Sequence, residues 1–76
     1  MTRITNPTVA DLSPAPKLVY LVLAQAGPCS VSDLRGRTQL ADRTIRRALE
    51  RLRDVGVVET RPHPHDQRMV EYQVVE

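Results

Sequence analysis

Phenylalanine and tryptophan are absent from this 76-residue sequence, which has only two tyrosines and one cysteine. Any core must therefore be built from leucine, valine, isoleucine and alanine, within the 41% of residues that are hydrophobic. The single cysteine, Cys29, excludes a disulfide within the chain and is expected to be a small, partly buried residue. A chain of this length has room for one domain with a modest core. These limits favour a small helical or mixed domain.

A signal peptide and an apolar run of membrane-spanning length are also lacking, so we expect a cytoplasmic protein that has no membrane partner. The sequence has only three glycines and contains no glycine-rich phosphate loop. It also shows no nucleophile with a partnered base. We therefore expect no enzyme, no catalytic residue and no cofactor.

The charge is small in total but unevenly distributed. The net charge is +2, whereas residues 35–53 contain seven arginines against Asp42 and Glu50, a local net charge of +5. Such a segment suits a polyanionic partner. The alternative is a solvated helix face with i,i+4 ion pairs, such as Glu50 with Arg46 or Arg47.

Two helices are predicted in the first half of the chain. The first begins after Ser13, where a serine can cap the helix and two prolines fit its first turn, and it ends at Gly27. Its residues are apolar almost all round, which places it centrally in the core. The second helix begins with Ser30 and Asp33, which resemble a capping box, and ends near residue 37 or 38.

The third helix is predicted from about Asp42 to Val55. Apolar residues recur there at the spacing of one helical face, at Ile45, Ala48, Leu49, Leu52 and Val55. Gly56 then supplies a left-handed turn that ends the helix. The same geometry directs Arg43, Arg46 and Arg47 away from the buried face. Arg51 and Arg53 lie toward the flanks, where solvent or ion pairs are expected.

A β-hairpin is predicted after Gly56. Residues 57–61 and 69–75 are rich in β-branched side chains, and the polar, proline-broken segment 62–68 separates them. Val70, Tyr72 and Val74 alternate with polar residues and are expected to face the helices. Residues 1–12 show no clear periodicity and are taken as a loose N-terminal arm or a short extra element, followed by one domain at residues 13–76.

Three helices followed by a two-stranded hairpin predict a mainly α, α+β fold, the winged helix-turn-helix. In this fold the third helix fits the major groove of double-stranded DNA, and the wing, at about residues 61–69, reaches the backbone or the minor groove. Arginine suits both phosphate and guanine. The candidate DNA-binding residues are Arg43, Thr44, Arg46, Arg47, Arg61, His63, His65 and Arg68.

The sequence also resembles the MarR-type winged-helix regulators over about residues 13–75. The resemblance lies in the pattern Leu40, Thr44-Ile45, Arg47, Leu49, Leu52 and Gly56-Val57-Val58. In addition, Asp66-Gln67-Arg68 looks like the Asp-x-Arg motif of the MarR wing. The resemblance implies a sequence-specific transcriptional regulator whose wing arginine approaches the minor groove while the aspartate holds it.

The sequence departs from the MarR pattern in two respects. Ala41 stands where these proteins usually have serine or threonine, so the cap of the third helix must come from Asp42 or go unfilled. Full-length MarR-type proteins also have long terminal helices that form the dimer and a ligand pocket, and this sequence shows no counterpart. If a homodimer forms, we expect it to use the arm, the first helix or the hairpin edge.

Two further hypotheses concern a metal and a protein partner. His63, His65, Asp66 and Cys29 raise the idea of a metal sensor, but an extended proline-rich segment directs two histidines separated by one residue to opposite sides. A polar wing tip on phosphates accounts for them equally, and protonation would then strengthen phosphate binding, so no metal is assigned. The alternative function is a winged-helix module that docks a protein in a larger transcription or replication assembly, for which an apolar or mixed third-helix surface is expected.

Overall fold

The computed structural model describes residues 7–75, with side chains from Val9 onward, so residues 1–6 of the predicted arm lie outside it. The described helices are α1 (Pro7–Ala10), α2 (Pro14–Ala26), α3 (Val31–Thr38) and α4 (Asp42–Asp54), and an antiparallel hairpin of β1 (Val58–Pro62) and β2 (Val70–Val74) follows them. The predicted winged helix with three main helices is confirmed. None of the helices between residues 7 and 75 is long and apolar enough to cross a bilayer.

The two ends of α2 differ in how well they match the sequence prediction. Ser13 has the extended backbone of an N-cap, but its hydroxyl makes no capping hydrogen bond, so the expected side-chain cap is wrong. Proline in the first turn still fits, because the first amides of a helix lack partners within it. At the other end Gly27 has φ +83°, a backbone angle that glycine adopts without strain, and α2 stops there.

The predicted capping box of α3 is confirmed. The Ser30 hydroxyl accepts a hydrogen bond from the Asp33 amide at 3.1 Å, and the Asp33 carboxylate accepts one from the Ser30 amide at 3.0 Å. The helix ends at Thr38, followed by Gln39 in the left-handed conformation. The connection to α4 is therefore short and tightly bent, as a helix-turn-helix requires.

Helix α4 has no side-chain cap at its start and a well-bonded end. The sequence left two outcomes, a cap supplied by Asp42 or an unfilled cap. Ala41 is the N-cap residue and makes no side-chain hydrogen bond, so the cap is unfilled. At the C-terminus Gly56 has φ +79°, and the Val57 amide reaches back to the Leu52 carbonyl at 3.1 Å while the Gly56 amide bonds Arg53. This pair of hydrogen bonds is a Schellman motif, and it turns the chain into β1.

The core lies between α2, α3 and α4 and is closed by the hairpin. The largest fully buried side chains are Val9, Val19, Leu23, Leu34, Ile45, Leu49 and Leu52. Helix α2 is less central than its sequence predicts, because Leu18 remains 39% exposed. Val9 and Leu12, which belong to the predicted arm, are buried in this core.

The hairpin is bonded to the helical part through β2. Pairing runs from Val58 opposite Val74 to Pro62 opposite Val70, and Tyr72 also exchanges backbone hydrogen bonds of 3.0 and 2.8 Å with Cys29, just before α3. Tyr72 and Val74 pack against the core as predicted. Val70 also lies on the side of the helices, but it borders the open groove between the hairpin and helices α3 and α4, so it is 47% exposed and does not pack against the core.

Candidate nucleic-acid interface

Helix α4 presents opposite faces to the core and to solvent. Its buried face consists of Ile45, Ala48, Leu49 and Leu52. Arg43, Arg46 and Arg47 are exposed, as the helical spacing predicts. The helix is therefore anchored along one side, which leaves the arginine-rich side accessible to a partner.

The arginines of this exposed face are not neutralised by neighbouring acids. The three ion pairs found among residues 7–75 involve other arginines. In particular, Glu50 is exposed and forms no ion pair with Arg46 or Arg47 in this part of the chain. The structure therefore does not show the alternative, a solvated helix face stabilised by i,i+4 ion pairs.

Thr44 lies at the edge of this exposed face of α4, next to Arg47. It is half-buried and lines a shallow recess between α4 and the start of α2, together with Ser13, Pro16, Arg47 and Arg51. Arg51 is exposed, as expected. Arg47 therefore stands at the border between the outward face and this recess.

An ion pair that the sequence did not predict joins the two helices of the helix-turn-helix. Nη1 of Arg35 in α3 lies 2.9 Å from Oδ1 and 3.2 Å from Oδ2 of Asp42, the first residue of α4. A carboxylate in the first turn is favourable for the helix dipole. Asp42 is thus tied to α3 and does not act as the cap.

A groove separates the wing from α3 and α4 and brings distant basic residues together. It has a volume of about 300 Å³, and its walls include Arg35, Asp42 and Arg46 on the helices and Arg68 and Tyr72 on the hairpin. Arg46 and Arg68, both predicted site residues, therefore border one concave surface. The Tyr72–Cys29 pairing fixes the hairpin beside α3 and so determines this arrangement.

The predicted wing residues lie at different depths of the hairpin. Arg61 is half-buried within β1, and its Nε lies 3.5 Å from Oε1 of Glu71 on β2. At the tip His63 is half-buried and His65 is exposed. The Arg68 side chain is 91% exposed. The tip therefore presents Arg68 and His65 to solvent, whereas Arg61 is held against the neighbouring strand.

Asp66 organises the base of Arg68. Its Oδ1 accepts a hydrogen bond from the Arg68 amide at 3.0 Å and lies 3.4 Å from the Arg68 Nε. The carboxylate thus contacts the arginine, which is the arrangement that the resemblance to the MarR wing implies.

Cys29 is buried, and its thiol is disfavoured from ionising. Burial raises the pKa of its thiol, and the nearby Asp33 carboxylate acts in the same direction. Its Sγ lies 3.4 Å from the Gly27 carbonyl, to which it donates. No group of three His, Cys, Asp or Glu side chains suited to a metal ion occurs among the residues that the structure describes.

The fold was compared with known protein families and with solved structures. A family model described as the MarR family matches residues 10–69. The structure of wild-type MarR from E. coli superposes with a TM-score of 0.81 at 25% identity, over 92% of this chain and 53% of that one. BpsR from Bordetella bronchiseptica, whose DNA binding is described as regulated by 6-hydroxynicotinic acid, superposes with a TM-score of 0.77 at 27% identity, over 87% and 50%.

A probable transcriptional regulator from Pseudomonas aeruginosa has the same fold, with a TM-score of 0.82 at 24% identity over 91% of this chain and 53% of that one. No curated protein matches the chain. The chain spans about half the length of the solved structures it matches. The family and the structural neighbours are transcription regulators and not enzymes. Because the family model matches most of its residues, the chain belongs to the MarR family.

Proposed function

We propose that this chain is the DNA-binding part of a transcriptional regulator and that α4 enters the major groove of double-stranded DNA in a sequence-specific manner. The observation that supports this most directly is the face of α4 opposite the core, where Arg43, Arg46 and Arg47 are exposed and take part in no ion pair among the described residues. The description of BpsR as a protein whose DNA binding is regulated is consistent with this function.

The dimensions and chemistry of α4 suit the major groove. A helix is about 10–12 Å across with its side chains, and the groove is about 12 Å wide. The three arginines lie in the first two turns of α4, the part of a recognition helix that reaches base edges. A guanidinium there can donate to both O6 and N7 of guanine or to phosphate oxygens.

The wing supplies the second proposed contact with DNA. Arg68 and His65 are exposed at the tip and are assigned to the minor groove or the flanking phosphates, with His63 beside them. Arg61 contributes positive charge from lower in the hairpin. Thr44 is assigned to the DNA backbone at the edge of the α4 contact, next to Arg47.

The salt dependence of duplex binding tests this proposal. If α4 and the wing neutralise about four phosphates, affinity for a random-sequence duplex falls on the order of 100-fold between about 50 and 200 mM salt. Fluorescence anisotropy with a labelled duplex measures this directly. Absence of binding at low salt would contradict the proposal and favour a winged-helix module that docks a protein.

We also propose that the working form is a homodimer. A dimer presents two α4 helices to half-sites about 34–36 Å apart, which matches one turn of DNA. Sedimentation with and without duplex DNA gives the protomer count. One protomer per duplex at saturation would contradict the dimer and leave the α4 contact untouched.

A further inference from the structure

The imidazole of His63 is the centre of a hydrogen-bond network at the wing tip. Its Nδ1 accepts hydrogen bonds from the backbone amides of His65 at 3.0 Å and Asp66 at 3.1 Å. The His63 amide donates to the Met69 carbonyl at 3.2 Å, and the Met69 amide donates to the Asp66 carbonyl at 3.0 Å. The half-buried ring thus holds the turn at residues 63–66, and backbone hydrogen bonds with Met69 join the two sides of the tip.

The sequence around His63 explains why the ring takes this role. Pro64 has no amide hydrogen, so the first backbone donors after His63 are those of His65 and Asp66. A residue before proline is also biased toward the extended conformation. Two successive amides therefore converge on a single acceptor, which in this chain is a titratable nitrogen.

A histidine nitrogen accepts a hydrogen bond only when it carries no proton. The neutral ring that fits this tip has its proton on Nε2, and the doubly protonated ring is a donor at both nitrogens. Protonation of His63 would place an N–H against two other N–H groups. The observed tip is therefore compatible with the neutral imidazole alone.

The network leads directly to Arg68. The His63 ring fixes the Asp66 amide, and the Asp66 carboxylate in turn accepts from the Arg68 amide at 3.0 Å and lies 3.4 Å from its Nε. Nothing but Asp66 pairs with the Arg68 side chain among the ion pairs of residues 7–75. Its orientation thus depends on the conformation of the tip.

We propose that His63 is a positioning residue of the wing, which in its neutral form orders the tip so that Arg68 is directed at DNA, and that acidification therefore weakens duplex binding. This inference rests on the proposed DNA-binding function. It runs against the expectation from sequence, in which a protonated wing histidine strengthens phosphate binding.

Several charged side chains surround His63, and the pH test must separate their effects from that of His63. In the tip these groups are His65, whose ring centroid lies 6.1 Å away, Asp66 and Arg68, and on the strands below is the Arg61–Glu71 pair. Arg35, Asp42 and Arg46 line the groove that Arg68 borders from α3 and α4. Of these residue types only histidine ordinarily changes charge between about pH 5.5 and 7. The chain has two, so replacing His65 isolates His63.

Duplex affinity at two pH values tests the proposal. In the His65→Gln protein at fixed salt, affinity is expected to fall at least about threefold between pH 7.0 and 5.5, because a proton on Nδ1 of His63 removes the acceptor of the His65 and Asp66 amides. A second protein carries His63→Asn as well. The asparagine amide oxygen lies near the position of Nδ1 and accepts N–H bonds at both pH values, so its affinity should change less than about twofold. An affinity that rises on acidification, or an equal fall in both proteins, would overturn the proposal.

Nuclear magnetic resonance of the full chain without DNA separates this proposal from the proposed function. The ¹⁵N spectrum of the His63 ring should show the Nε2–H tautomer at pH 7. The amide signals of His65 and Asp66 should move with the same midpoint as that ring. The opposite tautomer, or amide signals that ignore the titration, refutes the positioning role even if the chain binds duplex. The expected spectra together with no duplex binding at any pH would refute the DNA-binding function instead.

Discussion

The start of α4 lacks a side-chain cap, and the substitution Ala41→Thr supplies one. Ala41 already has the extended backbone of an N-cap, with φ −67° and ψ 151°, close to the φ −80° and ψ 170° of Ser30, which caps α3. Its side chain is exposed, so a hydroxyl has room. Asp42 does not compete for this position, because its carboxylate is bound to Arg35. A threonine hydroxyl there can accept from the amide of Thr44, as Ser30 accepts from Asp33.

Helix N-caps of this kind contribute about 1 kcal/mol, with a range of roughly 0.5–2 kcal/mol. For a domain of this size 1 kcal/mol corresponds to a rise in Tm of about 4–8 °C. We therefore expect Ala41→Thr to raise the free energy of unfolding by about 1 kcal/mol.

Thermal and urea unfolding, followed by circular dichroism, measure this gain. Ala41→Val is the matched control, because valine has the shape of threonine without the hydroxyl. Ser30→Ala is the reciprocal change and should lower stability by at least about the same amount. If the threonine and valine proteins unfold at the same temperature, the hydroxyl does not cap α4 and the reasoning from backbone geometry is refuted.

Three further changes test the core, the cysteine and the helix-turn-helix. Leu52→Ala empties a fully buried position and should cost about 2–5 kcal/mol in urea unfolding; a cost under 1 kcal/mol contradicts the assigned core. Because burial raises the pKa of Cys29, its thiol should react slowly with a disulfide reagent at pH 8 and far faster in urea. Rapid reaction in the folded protein contradicts that burial. The exposed Arg35–Asp42 pair should contribute less than about 1 kcal/mol in a double-mutant cycle.

The helices could be predicted from sequence because their signals are local. In α4 the apolar spacing identified the buried face, and the Gly56 turn marked its end. The capping box of Ser30 and Asp33 involves residues three apart, so it is visible in the sequence. The short turn α1 was not identified, because four residues are too few to show a helical period.

The contacts that shape the candidate interface join distant residues and could not be predicted in this way. Cys29 pairs with Tyr72 through backbone groups, which leave no trace in side-chain pattern. The same limit applies to Arg46 and Arg68, which line the same groove from α4 and from the hairpin. Strand alternation placed Val70 on the same face as Tyr72 and Val74, but it cannot show that a groove separates this end of β2 from the helices.

The role of His63 shows a different limit. Its sequence context, between two prolines and near Asp66, suggested a polar tip that touches phosphate. Whether a ring nitrogen accepts from the backbone depends on side-chain geometry, which the structure provides through the 3.0 and 3.1 Å hydrogen bonds.

The exposed arginines of α4 are the proposed DNA contact, and the duplex affinity of Arg47→Ala across a range of salt concentrations tests this contact most directly. Arg53→Ala is the control, because Arg53 is exposed on the same helix but lies beside β1 and outside the proposed contact. If Arg47 binds phosphate, its loss should reduce the salt slope by about 1, and if it binds a base, the loss should cost about 1–3 kcal/mol for a specific site. Arg53→Ala should bind like the wild type. Unchanged affinity and slope in Arg47→Ala, and likewise in Arg46→Ala, would contradict the account.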